Sequence, residues 1–280
     1  MAFEASWLQQ QLGKELEQLR VASGLSTRDV AKVTGLDHST VARMERAQNQ
    51  IDPQNIIKLG RLYKVADVEI ERLCEMARSS RTDIWWERYK SWLAESYYDA
   101  IGYENDATKI SVTHPAVLHG LLQTRGYAEA LFESGVVVVD PDRIEVLVEV
   151  RQLRQRRLIE PQPLELVAVI PESVLYTAFG GAEVMHEQLE HLRDMMKLNN
   201  VDLRVLPSAS PVSRYPLTLI EFGAEEGPAI AVSETAFGDF FHDEPMQIRQ
   251  TRRIFRQLLE TALSPSESAD IIEHRISEGK

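Results

Sequence analysis

Four residues in the stretch DHSTVARMERA, namely His38, Ser39, Ala42 and Arg43, have types and a spacing that could do recognition chemistry. At 100° per residue they share one side of a helix, and all are short or polar except for one long cation. An arginine in that setting can donate two parallel hydrogen bonds to a guanine edge. A histidine or serine can take another base edge, and an alanine can touch a thymine methyl group. A second group, Thr27, Arg28, Lys32 and Arg46, offers a hydroxyl and three cations suited to phosphate oxygens, with Thr27 and Arg28 at the positive end of an expected helix. For each of these side chains the plain alternative is a solvated surface residue.

The elements that must hold them are legible from period and punctuation. Leu8, Leu12, Leu16 and Leu19 repeat at helical spacing and Gly24 stops that helix. Ser26 with Asp29 three residues on forms a capping-box pattern that opens a second helix, with Val30 and Val33 on its expected buried face. Gly35 supplies a turn able to adopt positive φ, Leu36 plugs the junction, and Asp37 caps a third helix that buries Val41 and Met44. Pro53 opens a fourth helix around Ile56, Ile57, Leu59 and Leu62, and a short fifth runs around Val68, Ile70, Leu73 and Met76.

Five short helices with this junction resemble the Xre/Cro-type helix-turn-helix family of phage and bacterial repressors. The resemblance rests on Leu25-Ser26, Val30-Ala31, Gly35, Val41, Met44-Glu45, Leu59 and Leu62, and covers about the first quarter of the chain. It implies a five-helix, lambda-repressor-like DNA-binding domain whose third helix reads bases from its N-terminal part. It also implies an ion pair between Arg20 and Glu45, across the fold, that orients the reading helix.

DNA is a polyanion, and the 280-residue chain carries a formal net charge of −12. The charge is uneven. Residues 1–64 balance at +2 and the remainder at −14. Only charges within about 8–10 Å of the duplex act on it strongly at physiological salt, so acid located elsewhere weakens binding modestly. Length and composition, 44% hydrophobic and 26% charged, suggest two domains. The single cysteine, Cys74, excludes an internal disulfide. The opening MAFEASWLQQQ does not read as a signal peptide, and the apolar run 136–139 is too short to span a bilayer. A cytoplasmic protein without cofactor or membrane association is expected.

The expected organisation is a helix-turn-helix domain over 1–77, a linker over 78–84 (ARSSRTD begins at Ala77) and an α+β regulatory or dimerisation domain over 85–280. The stretch IWWERYKSWLAESYYDAIGYE places three tryptophans and four tyrosines together, as the core of an entry helix or as a pocket or dimer surface. Beyond it, ATKISVT, LELVAVI, NVDLRVLP, PLTLIEF and AIAVSET read as strands. GYAEALF, PDRIEVLVEVRQLRQRRLIE, GGAEVMHEQLEHLRDMMKL and PMQIRQTRRIFRQLLETAL read as helices, and Ser264, Pro265 and Glu267 start a last one. Grouped strands point to an antiparallel or mixed sheet.

The segments YENDATKISVTHPAVLHGLLQTRGYAEAL, VRQLRQRRL, LVAVIPESVLY, MHEQLEHL and DLRVLP with LTLIEF resemble the C-terminal domain, of unknown function, of actinobacterial (Streptomyces-type) antitoxin-like helix-turn-helix regulators. That family has proline where this chain has His119, and a Gly/His-containing turn where this chain has SASPVSRYP. The resemblance implies a second domain that senses a small-molecule effector, pairs subunits into a homodimer, or binds a small protein encoded by a neighbouring gene.

Other chemistry fares poorly. The histidines of HEQLEH, His186 and His191, are five apart, whereas a zinc-binding helix needs i and i+4. No Gly-rich phosphate loop, nucleophile elbow or paired-cysteine site is present, so no enzyme is expected. Glu172 and Glu234, at the ends of expected strands, could bind a basic ligand or join as a pair, or be merely solvated or salt-bridged. The arginines of RQLRQRRL, 151–158, read first as an ion-pair network and second as a supplementary DNA contact. The leading functional expectation is a sequence-specific transcriptional regulator acting as a homodimer on a palindromic operator. The alternative is an antitoxin-like module that sequesters a small protein.

Overall fold

A computed structural model describes residues 6–79, 85–135, 139–212, 215–223, 228–235 and 238–278. The chain divides into two compact units: residues 1–84 with 105–107 and 222–228, and residues 85–104 with 108–221 and 229–280.

The first unit contains α1 (Trp7–Ala22), α2 (Thr27–Thr34), α3 (His38–Glu45), α4 (Pro53–Leu62) and α5 (Asp67–Ser79). Each start has a local cause. Ser6 with Gln9, and Ser26 with Asp29, close reciprocal capping boxes on α1 and α2. Asp37 accepts the Ser39 amide at the head of α3, and Asp52 with Pro53 starts α4. Gly35 ends α2 in the left-handed region, at φ 72°, which turns the chain into α3 without a Cβ penalty. Leu8, Leu12, Leu16, Val30, Val41, Met44, Ile56, Leu59, Ile70, Leu73 and Met76 are buried. Two expected core residues are not: Val33 is 69% and Val68 83% exposed. Val33 follows Val30 by one turn, but an eight-residue helix presents a narrow inward stripe, and Val30 fills it. Val68 sits in the first turn of α5, where Ile70 supplies the inward contact at Gly60. The helix α5 covers positions 78 and 79 of the expected linker, and 80–84 lie outside the described residues.

The second unit is α+β. Its elements are α6 (Glu95–Asp106), β1 (Lys109–Thr113), α7 (Arg125–Glu133), α8 (Ile144–Arg154), β2 (Glu165–Pro171), α9 (Ala182–Met195), β3 (Val201–Leu206), β4 (Leu217–Glu221), β5 (Ala229–Thr235), β6 (Gly238–His242), α10 (Pro245–Thr261) and α11 (Pro265–Glu278). The sheet is mixed, with order β3-β2-β1-β4-β5-β6. The β1–β2 and β2–β3 pairs are parallel, and β1–β4, β4–β5 and β5–β6 are antiparallel. Parallel pairing requires crossovers, supplied by the helices between β1 and β2 and by α9 between β2 and β3. One face of the sheet, through Val169, Leu217, Leu219, Ala229 and Ala231, packs on Ile248, Phe255 and Leu258 of α10. By alternation, Glu234 and its cross-strand neighbour Asp239 point to the other face.

The expected entry helix is not continuous. Residues 85–94 form turns with a short 3-10 segment at Glu87–Tyr89, and α6 begins only at Glu95. Trp85 packs edge-on to Trp86 and to Tyr89, contacts that bulky neighbours make more readily from a tight turn than from a helix, where they lose χ1 freedom. Likewise α8 stops at Arg154 and continues as a 3-10 turn through Leu158.

Candidate nucleic-acid interface and a polar cluster

The face of α3 divides cleanly. Val41 and Met44 are fully buried, and Glu45 lies beside them. His38, Ser39, Arg43 and Arg46 are exposed, and Ala42 is half-buried. On a helical wheel His38, Ser39, Ala42, Arg43 and Arg46 span about 140°, opposite the buried set. The Arg43 guanidinium is laid along its own helix. Nε donates to the Ser39 carbonyl at 3.3 Å and Nη2 donates to Thr40 Oγ1 at 3.2 Å. Thr40, which the sequence reading did not single out, therefore holds the long side chain in place. Asp37 Oδ1 accepts the Ser39 amide at 2.7 Å, and hydrogen bonds from Ser39 hold its carboxyl below the usual carboxylate range.

The helix α3 is anchored from below. Arg20 Nε and Nη2 donate to the two carboxylate oxygens of Glu45 at 2.6 and 3.0 Å, and Nη1 donates to the Leu25 carbonyl at 3.0 Å. The side chains are 13% and 6% exposed, so the pair is largely dry. One guanidinium thus ties α1, the loop before α2, and α3. Gly13 of α1 completes the anchor. A Cβ there would lie 2.7 Å from the Glu45 carbonyl oxygen and 2.8 Å from that of Met44, so the α1 backbone passes directly under α3. The sequence reading missed Gly13. A glycine inside a leucine-patterned helix was the available signal. Arg72 of α5 joins α1 by an ion pair with Glu15, and holds Glu69 at 2.6 Å.

Arg28 and Lys32 are exposed on α2, and Thr27 is half-buried at its first position. Asp29 stands in the same turn, bonded to Ser26, and offsets part of the positive helix end.

In the second unit, Glu172 and Glu234 are not brought together. Glu172 opens the 3-10 turn that follows β2 and Glu234 lies on β5, and these strands are three positions apart in the sheet, about 14 Å by inter-strand spacing. Glu172 Oε2 accepts the Ser208 amide at 2.9 Å. Glu234 instead faces Asp239 on β6, a strand the sequence reading did not find. Its signal was the adjacent pair Phe240 and Phe241 just after Gly238 and Asp239.

Around that acidic pair lies a cluster of polar groups from four elements. Arg154 of α8 donates from Nε and Nη2 to Glu104 of α6, at 2.9 and 2.7 Å, and from Nη1 to the Tyr97 hydroxyl at 2.9 Å. Arg151 donates to Gln123 at 2.8 Å and stacks on Phe132. Gly120 lets both guanidiniums close in, since a Cβ there would stand 3.4 Å from Arg151 Nε and Arg154 Nη1. His119 caps the Gly120–Leu122 turn through Nδ1, and burial together with Arg154 and Arg151 keeps its imidazole neutral, well below its ordinary pKa. Burial raises the Glu234 carboxyl, with Arg154 and Arg151 opposing. Asp239 is pushed up to about 6 by burial and by Glu234. Of the RQLRQRRL arginines, Arg154 and Arg157 are paired with Glu104 and Glu160, and Arg156 is exposed. His186 and His191 join no metal-binding group, and no convergence of three or more metal-ligating side chains is found among the described residues.

Small capped helices, a left-handed glycine between α2 and α3, and a polar outward face on α3 define a helix-turn-helix protein, and residues 11–73 match a helix-turn-helix domain. The chain belongs to the family of the Domain of unknown function (DUF5753), which matches residues 97–274. No curated protein and no solved structure matches the chain. The helix-turn-helix unit marks a DNA-binding protein of the kind that regulates transcription. No helix among the described residues is long and apolar enough to cross a membrane.

Proposed function

We propose that the protein is a sequence-specific transcriptional regulator of the Xre type, of actinobacterial origin, which reads an operator with α3 as a homodimer in the cytoplasm and catalyses no reaction. The observation that carries this reading is the two-sided α3: Val41 and Met44 inward, with His38, Ser39, Ala42 and Arg43 outward as base contacts. Thr27, Arg28, Lys32 and Arg46 take phosphates. A single reading helix covers few base pairs, so a two-fold pair on half-sites about 34 Å apart is the natural operator. Selection from random duplexes at low salt tests the reading. An imperfect palindrome should emerge, and failure to enrich any sequence would end it.

The second unit is the switch. The Tyr97, Glu104, Arg151, Arg154, Glu234 and Asp239 cluster supports an effector-responsive role, because ionisable groups from several elements, with Glu104 and Arg154 buried and the others half-buried, respond together to a bound polar molecule. The second reading, an antitoxin-like module sequestering a small protein, is favoured by the −14 balance beyond residue 64, which suits a basic partner. Stoichiometric co-purification of a small basic protein from the native host would favour that second reading over a small-molecule effector.

A further inference from the structure

Acid outnumbers base in the second unit, so its cations should find partners easily, and nearly all do. Among the described residues 85–278, Lys90, Lys109, Lys197, Arg125, Arg154, Arg157, Arg193, Arg204, Arg252 and Arg275 each have a carboxylate within ion-pair distance. Arg88 lies 3.8 Å from Glu149, Arg143 donates to the Trp92 carbonyl, and Arg151 donates to Gln123. Four arginines lack any such partner: Arg156, and Arg249, Arg253 and Arg256 of α10. Those last three are exposed and fall at i, i+4 and i+7, which places them within about 60° of one another along roughly 10 Å of helix.

The opposite side of α10 is committed to the sheet through Ile248, Phe255 and Leu258, so the stripe necessarily faces outward. The exposed residues beside it are Gln250 and Gln257, with Met246 one turn before it and Glu260 one turn after. Three unpaired cations in register, in a unit with acid to spare, are segregated rather than scattered. A protein interface would want apolar or aromatic anchors at its centre, and this stripe has none. Protein–DNA contacts are polar and strongly basic, with amide and guanidinium donors on phosphate oxygens.

We infer that the Arg249, Arg253 and Arg256 face of α10 is a second DNA-contacting surface that binds the phosphate backbone of the duplex without reading sequence, an inference that rests on the DNA-binding reading above. It partly offsets the repulsion between the acidic unit and the duplex. It also implies a footprint longer than the two α3 half-sites alone.

The test is a salt titration of operator affinity on a duplex carrying long flanks, using the full chain. R249Q/R253Q/R256Q should bind roughly tenfold more weakly at low salt. Its plot of log affinity against log salt should be shallower by about 0.9 for each lost phosphate contact, up to about 2.7 in all. R249K/R253K/R256K, which keeps the charge, should retain the wild-type slope. R28Q serves as the reference for a phosphate contact in the first unit. If R28Q lowers the slope and the triple glutamine variant, folded by circular dichroism, does not, the inference is wrong while DNA binding stands. Should the triple variant instead lose self-association at an unchanged slope, the stripe meets a second copy and the inference is again overturned. A wild-type protein that binds no duplex removes both readings.

Discussion

Arg43 and Glu45 sit two residues apart on α3 and face opposite worlds. Arg43 is exposed and held by Thr40 and the Ser39 carbonyl, so the geometry for its proposed base contact is partly set before DNA arrives. Arg43→Ala should lower operator affinity by about 1–3 kcal/mol in a gel-shift titration and relax preference at one base pair, with unchanged stability. Glu45 is buried against Arg20, and the two must be removed together to avoid stranding a charge. Arg20→Ala should destabilise the first unit by about 3 kcal/mol in urea, whereas Arg20→Met combined with Glu45→Leu should cost much less. Asp239 offers a pH test. Its carboxyl stands at about 6 in the folded protein against an ordinary 3.8, so the native state binds the extra proton between those values. Its contribution to stability therefore falls as pH rises from about 4 to about 6, and the ionised form is the penalised one above that. Burial does most to raise the Asp239 value, Glu234 on β5 raises it further, and Arg154 on α8 opposes both. Asp239→Asn should flatten this part of the stability profile and stabilise the protein by roughly 1–3 kcal/mol near pH 7. A carboxyl titration by carbon NMR, with a midpoint near the ordinary value, would contradict it.

Elements meet at positions where small residues matter more than large ones. Gly13 allows α1 to pass under the last turn of α3 with backbone in contact. In a free helix, alanine would improve on glycine by roughly 1 kcal/mol. Here the new methyl would meet carbonyl oxygens that cannot move aside like a flexible side chain, so the sign reverses. Gly13→Ala should destabilise the first unit by about 1–3 kcal/mol in thermal or urea unfolding, and should weaken operator binding by tilting α3. Binding unchanged from wild type would mean that α3 tolerates the shift. On the second unit, α8 and α6 are joined by the Arg154–Glu104 fork, and Gly120 admits both guanidiniums of α8 to one place.

For the whole molecule, the uneven charge decides how it meets DNA. A mildly basic stretch over residues 1–64 and an acidic remainder predict binding that is specific and strongly salt-dependent, with little affinity for bulk duplex at physiological salt. The proposed two-fold operator further predicts a sedimentation mass near twice the 31.8 kDa chain, at the concentrations where the operator shift is complete. A monomer under those conditions would refute the homodimer.

The sequence by itself determined what local chemistry governs. Ser26 with Asp29, Gly35 and Asp37 mark the ends of α2 and the start of α3, because caps and left-handed turns need particular residues within three or four positions. The same locality fixed α3's outward face, and the mixed composition of the second half as α+β. Only the tertiary structure decided the rest. It set Gly13 beneath Glu45, gave Glu234 the partner Asp239 rather than Glu172, exposed Val33 and Val68, and gathered α6, α8 and the β5–β6 hairpin around Arg154. Those outcomes depend on which surfaces meet across long stretches of chain, and no spacing within one element encodes that.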